Sequence, residues 1–214
     1  DATAILREDL ITTLGILDDE LVIAEANGRF ERDASDPHAL PAAIRQPALD
    51  VTARHASLRT WEQMLARARK EVNPVEKQRT YVRLGAALDP ALAQRALDLA
   101  LSGEPPATTS PAIIARVAEL HPEMAFDFAL ENERKVLALV EASSRYSYLP
   151  QLARSSADAA LAGRLREYML RSIPEGGRQD AEEAIAEILR RARSFSYNRP
   201  EYEAWVKART SGGC

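Results

Sequence analysis

The chain has 214 residues, and its apolar content of 46% is enough for a sizeable core in one large domain or two small ones. Its 28 basic and 32 acidic residues are mixed along the chain and give a net charge of −4. This balance argues against a general nucleic-acid-binding protein, which needs a basic face. No apolar run approaches the length of a membrane span, so we expect no membrane partner.

The two ends of the sequence bear on processing and location. The first ten residues, DATAILREDL, lack a basic stretch followed by an apolar one, so we predict no signal peptide. The missing initiator methionine suggests a fragment or a processed product. Cys214 is the only cysteine, so the chain can form neither an internal disulfide nor a cysteine-based zinc site. A reducing, cytoplasmic location is the simplest interpretation.

Helical periodicity runs through almost the whole sequence, whereas strand alternation is hard to find. We predict helices near residues 3–15, 18–32, 41–56, 58–72, 74–88, 90–102, 111–120, 122–140, 145–155, 158–172 and 178–193. Two apolar stripes are predicted to face the core: Trp61, Met64, Leu65 and Ala68, and Ala181, Ala184, Ile185, Ile188, Leu189 and Ala192.

Proline marks several predicted helix starts. Asn73 precedes Pro74 and should cap the helix, with Glu76 reaching back to the capping residue. Asp89-Pro90 and Ser110-Pro111 are interpreted in the same way. The adjacent carboxylates Asp18-Asp19 and Glu182-Glu183 are interpreted as charges that favour helix starts.

Three further features concern the helix ends. Pro47 lies inside the third predicted helix, which should kink or restart there. A final short helix near 200–209 is possible, and we predict that the last four residues, SGGC, are disordered. We therefore divide the chain into a helical-repeat domain, 1–193, and a short helix or flexible tail, 194–214.

The architecture predicted from this spacing is all-α. Helices joined by short links should pack as antiparallel neighbours, and many such pairs in a row favour a curved solenoid of the HEAT or armadillo kind. Small residues such as Ala86, Ala93 and Ala96 would allow helices to approach closely. An irregular helical bundle is the alternative.

Catalytic motifs are missing from the sequence. The three histidines, His38, His55 and His121, do not form H-E-x-x-H, and no phosphate-binding loop or nucleophile elbow occurs. We expect no catalytic residue, metal ligand or cofactor in this chain. His38 and His121 should be solvent-facing turn residues, and His55 should lie at a helix end.

One polar cluster is a candidate for substrate binding. Arg145, Tyr146 and Tyr148 lie in SSRYSYLP, at the junction between two predicted helices. Arginine can pair with a peptide carboxylate, and tyrosine offers both apolar area and a hydrogen bond. The alternative, which we favour, is that the tyrosines pack onto adjacent helices.

Several segments, in order, resemble the all-helical C-terminal domain of zinc aminopeptidases of the alanyl/puromycin-sensitive family. They are LGILDDELVIAEANGRFER, DPHALPAAIRQPALDVTARHA, EKQRTYVRLGAALDPALAQRALDLALS, HPEMAFDFALEN, SSRYSYLPQLARSS and the Glu/Ile-rich helix before Arg193. The resemblance covers roughly Leu10 to Arg193, and the ordered sum of segments carries it.

This resemblance implies a specific role. In such enzymes a separate thermolysin-like domain holds the zinc, and a helical domain arches over it to enclose a cavity. The chain would then be inactive alone, with the catalytic domain of the same polypeptide and peptide substrates as its partners. A free-standing helical-repeat scaffold that binds other proteins is the alternative.

Overall fold

A computed structural model describes residues 2–36 and 38–210. Helices account for 78% of the structure, and the described residues contain no strand. The predicted all-α class is therefore confirmed. The predicted disorder of SGGC concerns residues that lie outside the described part of the chain.

The described residues contain twelve α-helices. They are α1 Ala2–Ile16, α2 Glu20–Arg32, α3 Ala42–Arg54, α4 Leu58–Lys70, α5 Pro74–Arg83, α6 Pro90–Ala100, α7 Ser110–Ala118, α8 Pro122–Glu131, α9 Glu133–Leu139, α10 Tyr148–Ala153, α11 Ala159–Ser172 and α12 Gln179–Thr210. Three short 3-10 turns, Leu84–Ala86, Ala142–Ser144 and Glu175–Gly177, lie between them. No helix among the described residues is long and apolar enough to cross a membrane.

Helices α1 to α7 form the first of two compact units, residues 1–120. Successive helices pack on their neighbours, α1 and α2 on α3, α4 on α5 and α6 on α7, and the turn Leu84–Ala86 contacts α3 to α7. The stripe predicted on α4 is buried, and the Trp61 indole Nε1 donates a hydrogen bond to the Leu84 carbonyl at 3.0 Å. Burying an indole is favourable when its N–H has such a partner.

Helices α8 to α12 form the second unit, residues 121–214. Helix α10 packs on α8, α11 and α12, and α11 packs along α12. The ring of Phe126 meets Tyr168 edge to face, with centroids 6.4 Å apart. Residues Ala181, Ala184, Ile185 and Ile188 of the predicted α12 stripe are buried, while Leu189 and Ala192 are partly exposed. Both units thus show the stacking of neighbouring helices that is typical of helical repeats.

The helix caps agree with the sequence in part. Asn73 Oδ1 accepts from Val75 N at 3.0 Å, and Asp89 Oδ1 accepts from Ala91 N at 2.8 Å, as predicted. The reciprocal bond from Glu76 is absent, because Glu76 pairs with Arg79 and the Asn73 N–H donates to Glu71 instead.

The start of α7 differs from the prediction. Ser110 is a buried first helical residue rather than a cap, and Pro111 follows at the second position. Proline is tolerated there because the early N–H groups of a helix have no intrahelical acceptor. Asp19, interpreted from the sequence as a charge near a helix start, is the cap of α2, and its Oδ1 accepts from Val22 N at 2.9 Å.

Three predicted segments have different boundaries in the structure. The predicted helix 122–140 is two helices, because the chain turns at Asn132, whose side-chain amide donates to the Phe128 carbonyl at 3.0 Å. Helix α3 continues through Pro47 and does not restart. The possible helix near 200–209 is not separate, because α12 runs without a break through Pro200 to Thr210.

Candidate functional site

The candidate site is the junction that carries Arg145, Tyr146 and Tyr148, in the second unit. A 3-10 turn, Ala142–Ser144, leads from α9 into it. The Ser147 N–H and hydroxyl both donate to the Ser144 carbonyl at 3.2 Å, and the Ser147 carbonyl accepts from Gln151 N at 3.0 Å. These local bonds satisfy the backbone in the turn and start α10 directly after it.

Tyr148 is part of the core of the second unit. Only 8% of its surface is exposed. Burial raises the pKa of the Tyr148 phenol well above its ordinary value, because the charged form is poorly solvated there. Tyr148 therefore anchors the start of α10, and its ring does not face solvent.

Tyr146 and Arg145 form the outward part of the cluster. Tyr146 is 45% exposed, and one edge of its ring lies against the turn that contains Gly177. A β-carbon at Gly177 would lie 3.1 Å from Cδ2 of Tyr146, so the glycine leaves room for the ring. Arg145 is exposed, and its guanidinium has no hydrogen bond or ion pair with the described part of the chain. Both side chains are therefore available to a ligand.

The histidines lie apart from this cluster. His55 caps the C-terminal end of α3, as predicted, and its Nε2 lies 2.8 Å from the Gly15 carbonyl oxygen. His38 is exposed, whereas His121 precedes α8 and is partly buried rather than solvent-facing. Among the residues that the structure describes, no group of three or more His, Cys, Asp or Glu side chains could hold a metal ion.

A groove of about 660 Å³ in the first unit was not predicted from the sequence. Arg83 lines it and is buried, and its Nε donates to Asp50 Oδ1 at 2.6 Å while a second nitrogen donates to Gln46. Arg116, also in the wall, pairs with Glu119. These guanidiniums already have partners within the chain. The hydrogen bonds of Arg83 join α5 to α3, and the groove is poorly suited to binding an anion.

A smaller cavity of about 290 Å³ lies beside Arg54 in the same unit. The Arg54 Nε atom is buried and has no hydrogen-bond partner in the structure. An unpaired buried donor has a cost in stability that a paired one does not. The sequence gives no signal for this difference between Arg54 and Arg83.

Comparison with known proteins identifies the family. The model of the ERAP1-like C-terminal domain matches residues 1–193, which include every helix up to the middle of α12. A search of curated proteins found no significant match. The matched range agrees with the resemblance to aminopeptidase C-terminal domains and with the all-helical architecture. The chain therefore belongs to the ERAP1-like C-terminal domain family, whose members are C-terminal helical domains of aminopeptidases.

Proposed function

We propose that this chain is the non-catalytic C-terminal domain of a zinc aminopeptidase, and that it covers the active-site cavity and limits or orients peptide substrates. The observation that carries the proposal is the family match over residues 1–193. A cover of this kind excludes water and holds a peptide in position, which are recognised contributions to rate and selectivity. On composition alone, we place the protein in the cytoplasm.

The described residues of this chain do not offer a site that fits the zinc of such an enzyme. His55 is engaged by the Gly15 carbonyl, and the described residues offer no cluster of metal ligands. We therefore assign the metal to the catalytic domain of the same polypeptide, and the role of the present residues is to shape the cavity.

An exposed apolar surface on α1 and α2 supports packing against further polypeptide. Leu6, Leu10 and Leu14 lie at intervals of four residues on α1, and Leu17 and Leu21 follow; all five are exposed. The outer face of a terminal helical repeat is polar when nothing covers it. This leucine surface is therefore suited to a contact with the remainder of an aminopeptidase.

Arg145 and Tyr146 are the residues that we propose to contact the peptide. An exposed guanidinium suits a peptide carboxylate, and a half-exposed tyrosine suits an apolar side chain or a backbone group. Tyr148, which is buried, would hold the start of α10 in place next to them.

The proposal that this chain is non-catalytic, and that a separate domain holds the metal, is tested with the isolated chain. Incubation with aminoacyl-anilides and added zinc should give no turnover above the buffer, whereas an intact aminopeptidase in the same assay turns over. Zinc-dependent turnover by the isolated chain, lost on changing its own residues, would refute the proposal.

The site is tested in the intact enzyme. Tyr146→Ala should raise KM for long peptides severalfold and leave KM for an aminoacyl-anilide unchanged, because the short substrate does not reach the cover. Tyr146→Phe, which keeps the ring, should retain most of the affinity. Equal effects of Tyr146→Ala on both substrates would show that the residue has no role in peptide contact.

A free-standing interaction scaffold is the second candidate, and the exposed aromatic residues of α12 favour it. The upstream coding sequence separates the two. An H-E-x-x-H motif several hundred residues before Asp1 supports the aminopeptidase domain, and a start codon directly before Asp1 supports the scaffold.

A further inference from the structure

The C-terminal half of α12 presents large apolar side chains to solvent. Residues 194–209 are all exposed, including Phe195 (58%), Tyr202 (69%) and Trp205 (52%). Large exposed apolar side chains gathered on one face are typical of interaction surfaces.

This face continues the buried face of the same helix. Ala181, Ile188, Phe195 and Tyr202 are spaced by seven residues, and so lie along one side of α12. Ala181 and Ile188 are buried against the second unit, whereas Phe195 and Tyr202 extend the stripe to positions that the unit does not cover. The helix thus presents the same packing surface beyond its own core.

The charge of the segment differs from that of the rest of the chain. Residues 190–209 contain six basic residues, Arg190, Arg191, Arg193, Arg199, Lys207 and Arg209, and two acidic ones, Glu201 and Glu203, a net charge of +4. The whole chain carries −4, so residues 1–189 carry −8. Positive charge is therefore concentrated around the uncovered apolar face.

Guanidinium groups lie directly on the exposed rings. Arg199 lies 5.6 Å from the centroid of the Phe195 ring, and Arg209 lies 4.2 Å from that of Trp205. A groove of about 780 Å³ runs beside Phe195 and Tyr202 and is lined by Arg190, Arg191, Arg199 and Glu203. On the same helix, Arg190 and Arg191 pair with Glu187, and Arg199 pairs with Glu203. Ion pairs as exposed as these contribute little free energy, so the guanidiniums can exchange these partners for the carboxylates of a ligand. An occupant must supply apolar side chains to the groove and carboxylates to its edge.

We propose that residues 194–209, here called the aromatic segment of α12, bind an amphipathic helix of a protein partner that carries aliphatic residues along one face and carboxylates beside them. Aliphatic side chains of the partner would cover Phe195 and Tyr202, and its carboxylates would pair with the arginines at the rim. A second copy of this chain fits less well, because the segment itself has three basic and two acidic residues, a net charge of +1, and so offers few carboxylates to another copy. The inference rests on α12 alone and is independent of the proposed role in peptide selection.

The probes are two synthetic helices of about three heptads with the same leucine positions. One has glutamate at the flanking positions and the other has lysine. Binding to the full chain is measured by fluorescence anisotropy of the labelled peptide and by the emission of Trp205, which is exposed, whereas Trp61 is buried. The glutamate helix should bind at least about tenfold more tightly than the lysine helix, and added salt should weaken its binding.

The variants isolate the face. Phe195→Ser should weaken binding of the glutamate helix by about tenfold, as expected for an aromatic anchor. Leu170→Ser is the matched control, because Leu170 lies on α11 in the same unit and is also 58% exposed. It should leave binding unchanged, and circular dichroism should show that both variants fold.

Four results would overturn the proposal. The first is equal binding of the glutamate and lysine helices, and the second is no binding of either helix. The third is that Phe195→Ser and Leu170→Ser weaken binding equally. The fourth is that Phe195→Ser abolishes binding to vesicles or self-association of the chain instead of binding to the glutamate helix. The last is tested with vesicles of phosphatidylserine and phosphatidylcholine and by sedimentation of the chain alone. Vesicle binding that depends on Phe195, without binding of the glutamate helix, would make the segment a lipid-binding surface, and Phe195-dependent dimerisation would make it a contact between copies.

Discussion

Two arginines in the first unit show how context decides what a charged side chain contributes. The Arg83 side chain is only 8% exposed, and it donates to both Asp50 and Gln46. Arg54 has a buried Nε without a partner. The same residue type therefore stabilises one site and is poorly satisfied at the other.

Because of this difference, we expect that replacement by methionine destabilises the protein at Arg83 and is tolerated at Arg54. Arg83→Met should lower the free energy of unfolding by about 1–3 kcal/mol, because Asp50 and Gln46 lose their donor. Arg54→Met should stay within about 0.5 kcal/mol of the natural chain or be more stable, because it removes an unpaired buried donor. Urea unfolding followed by circular dichroism measures both. Equal destabilisation by the two changes would contradict the account.

Contacts of this kind could not be predicted from the sequence. Glu104 accepts a hydrogen bond from Arg69 at 2.7 Å and from the Tyr81 hydroxyl at 3.1 Å. These hydrogen bonds hold the pKa of Glu104 below its ordinary value, with Arg69 the largest cause. Arg69 and Tyr81 lie 35 and 23 residues away in the chain, so no local pattern connects them with Glu104.

At the scale of elements, glycines distinguish packed turns from open helix surface. A β-carbon at Gly85, in the turn Leu84–Ala86, would lie 2.8 Å from the Ile113 carbonyl oxygen of α7 and 3.1 Å from Arg116 Cβ. A β-carbon at Gly163, on the exposed side of α11, would meet nothing within 4 Å.

We therefore expect alanine to have opposite effects at these two positions. Gly85→Ala should cost about 1–3 kcal/mol, because α7 must move away from the turn. Gly163→Ala should add about 0.5–1 kcal/mol, because alanine has the higher helix propensity and lower unfolded-state entropy. Thermal unfolding of the two variants and the natural chain checks the sign of each effect. Stabilisation by Gly85→Ala would show that α7 does not pack against this turn.

Helix existence was predictable, whereas several helix boundaries were not. Apolar periodicity identified the buried stripe of α4, because burial on one face of a helix leaves a repeat in the sequence. The turn at Asn132 and the passage of α12 through Pro200 were missed. Helix α8 ends where the Asn132 side chain donates a hydrogen bond to a backbone carbonyl. Helix α12 continues past Pro200, and side-chain pairs such as Arg199–Glu203 at 2.7 Å span the proline.

The candidate site was predictable only as a cluster of residue types. Sequence placed Arg145, Tyr146 and Tyr148 together, but only the structure separates the buried Tyr148 from the exposed Arg145 and Tyr146. In a turn, the directions of successive side chains do not repeat at a regular interval as they do in a helix. Which of these side chains is buried therefore depends on the surrounding fold.

At the scale of the whole molecule, the described residues combine two units with buried helical cores and two exposed apolar surfaces. One is the leucine surface of α1 and α2, and the other is the aromatic segment of α12. Both agree with a domain that works in contact with other protein surfaces, and the family match assigns it to the aminopeptidases.

The most direct test of the proposed cover is peptide-length selectivity in the intact aminopeptidase. The quantity to measure is the ratio of kcat/KM for a long peptide to kcat/KM for an aminoacyl-anilide, with and without residues 1–214. Removal of the domain should change this ratio at least about tenfold while the anilide is still hydrolysed, because the proposal assigns the metal to a separate catalytic domain. An unchanged ratio in a folded, active enzyme would contradict the assignment of this chain as the part that selects and orients peptides.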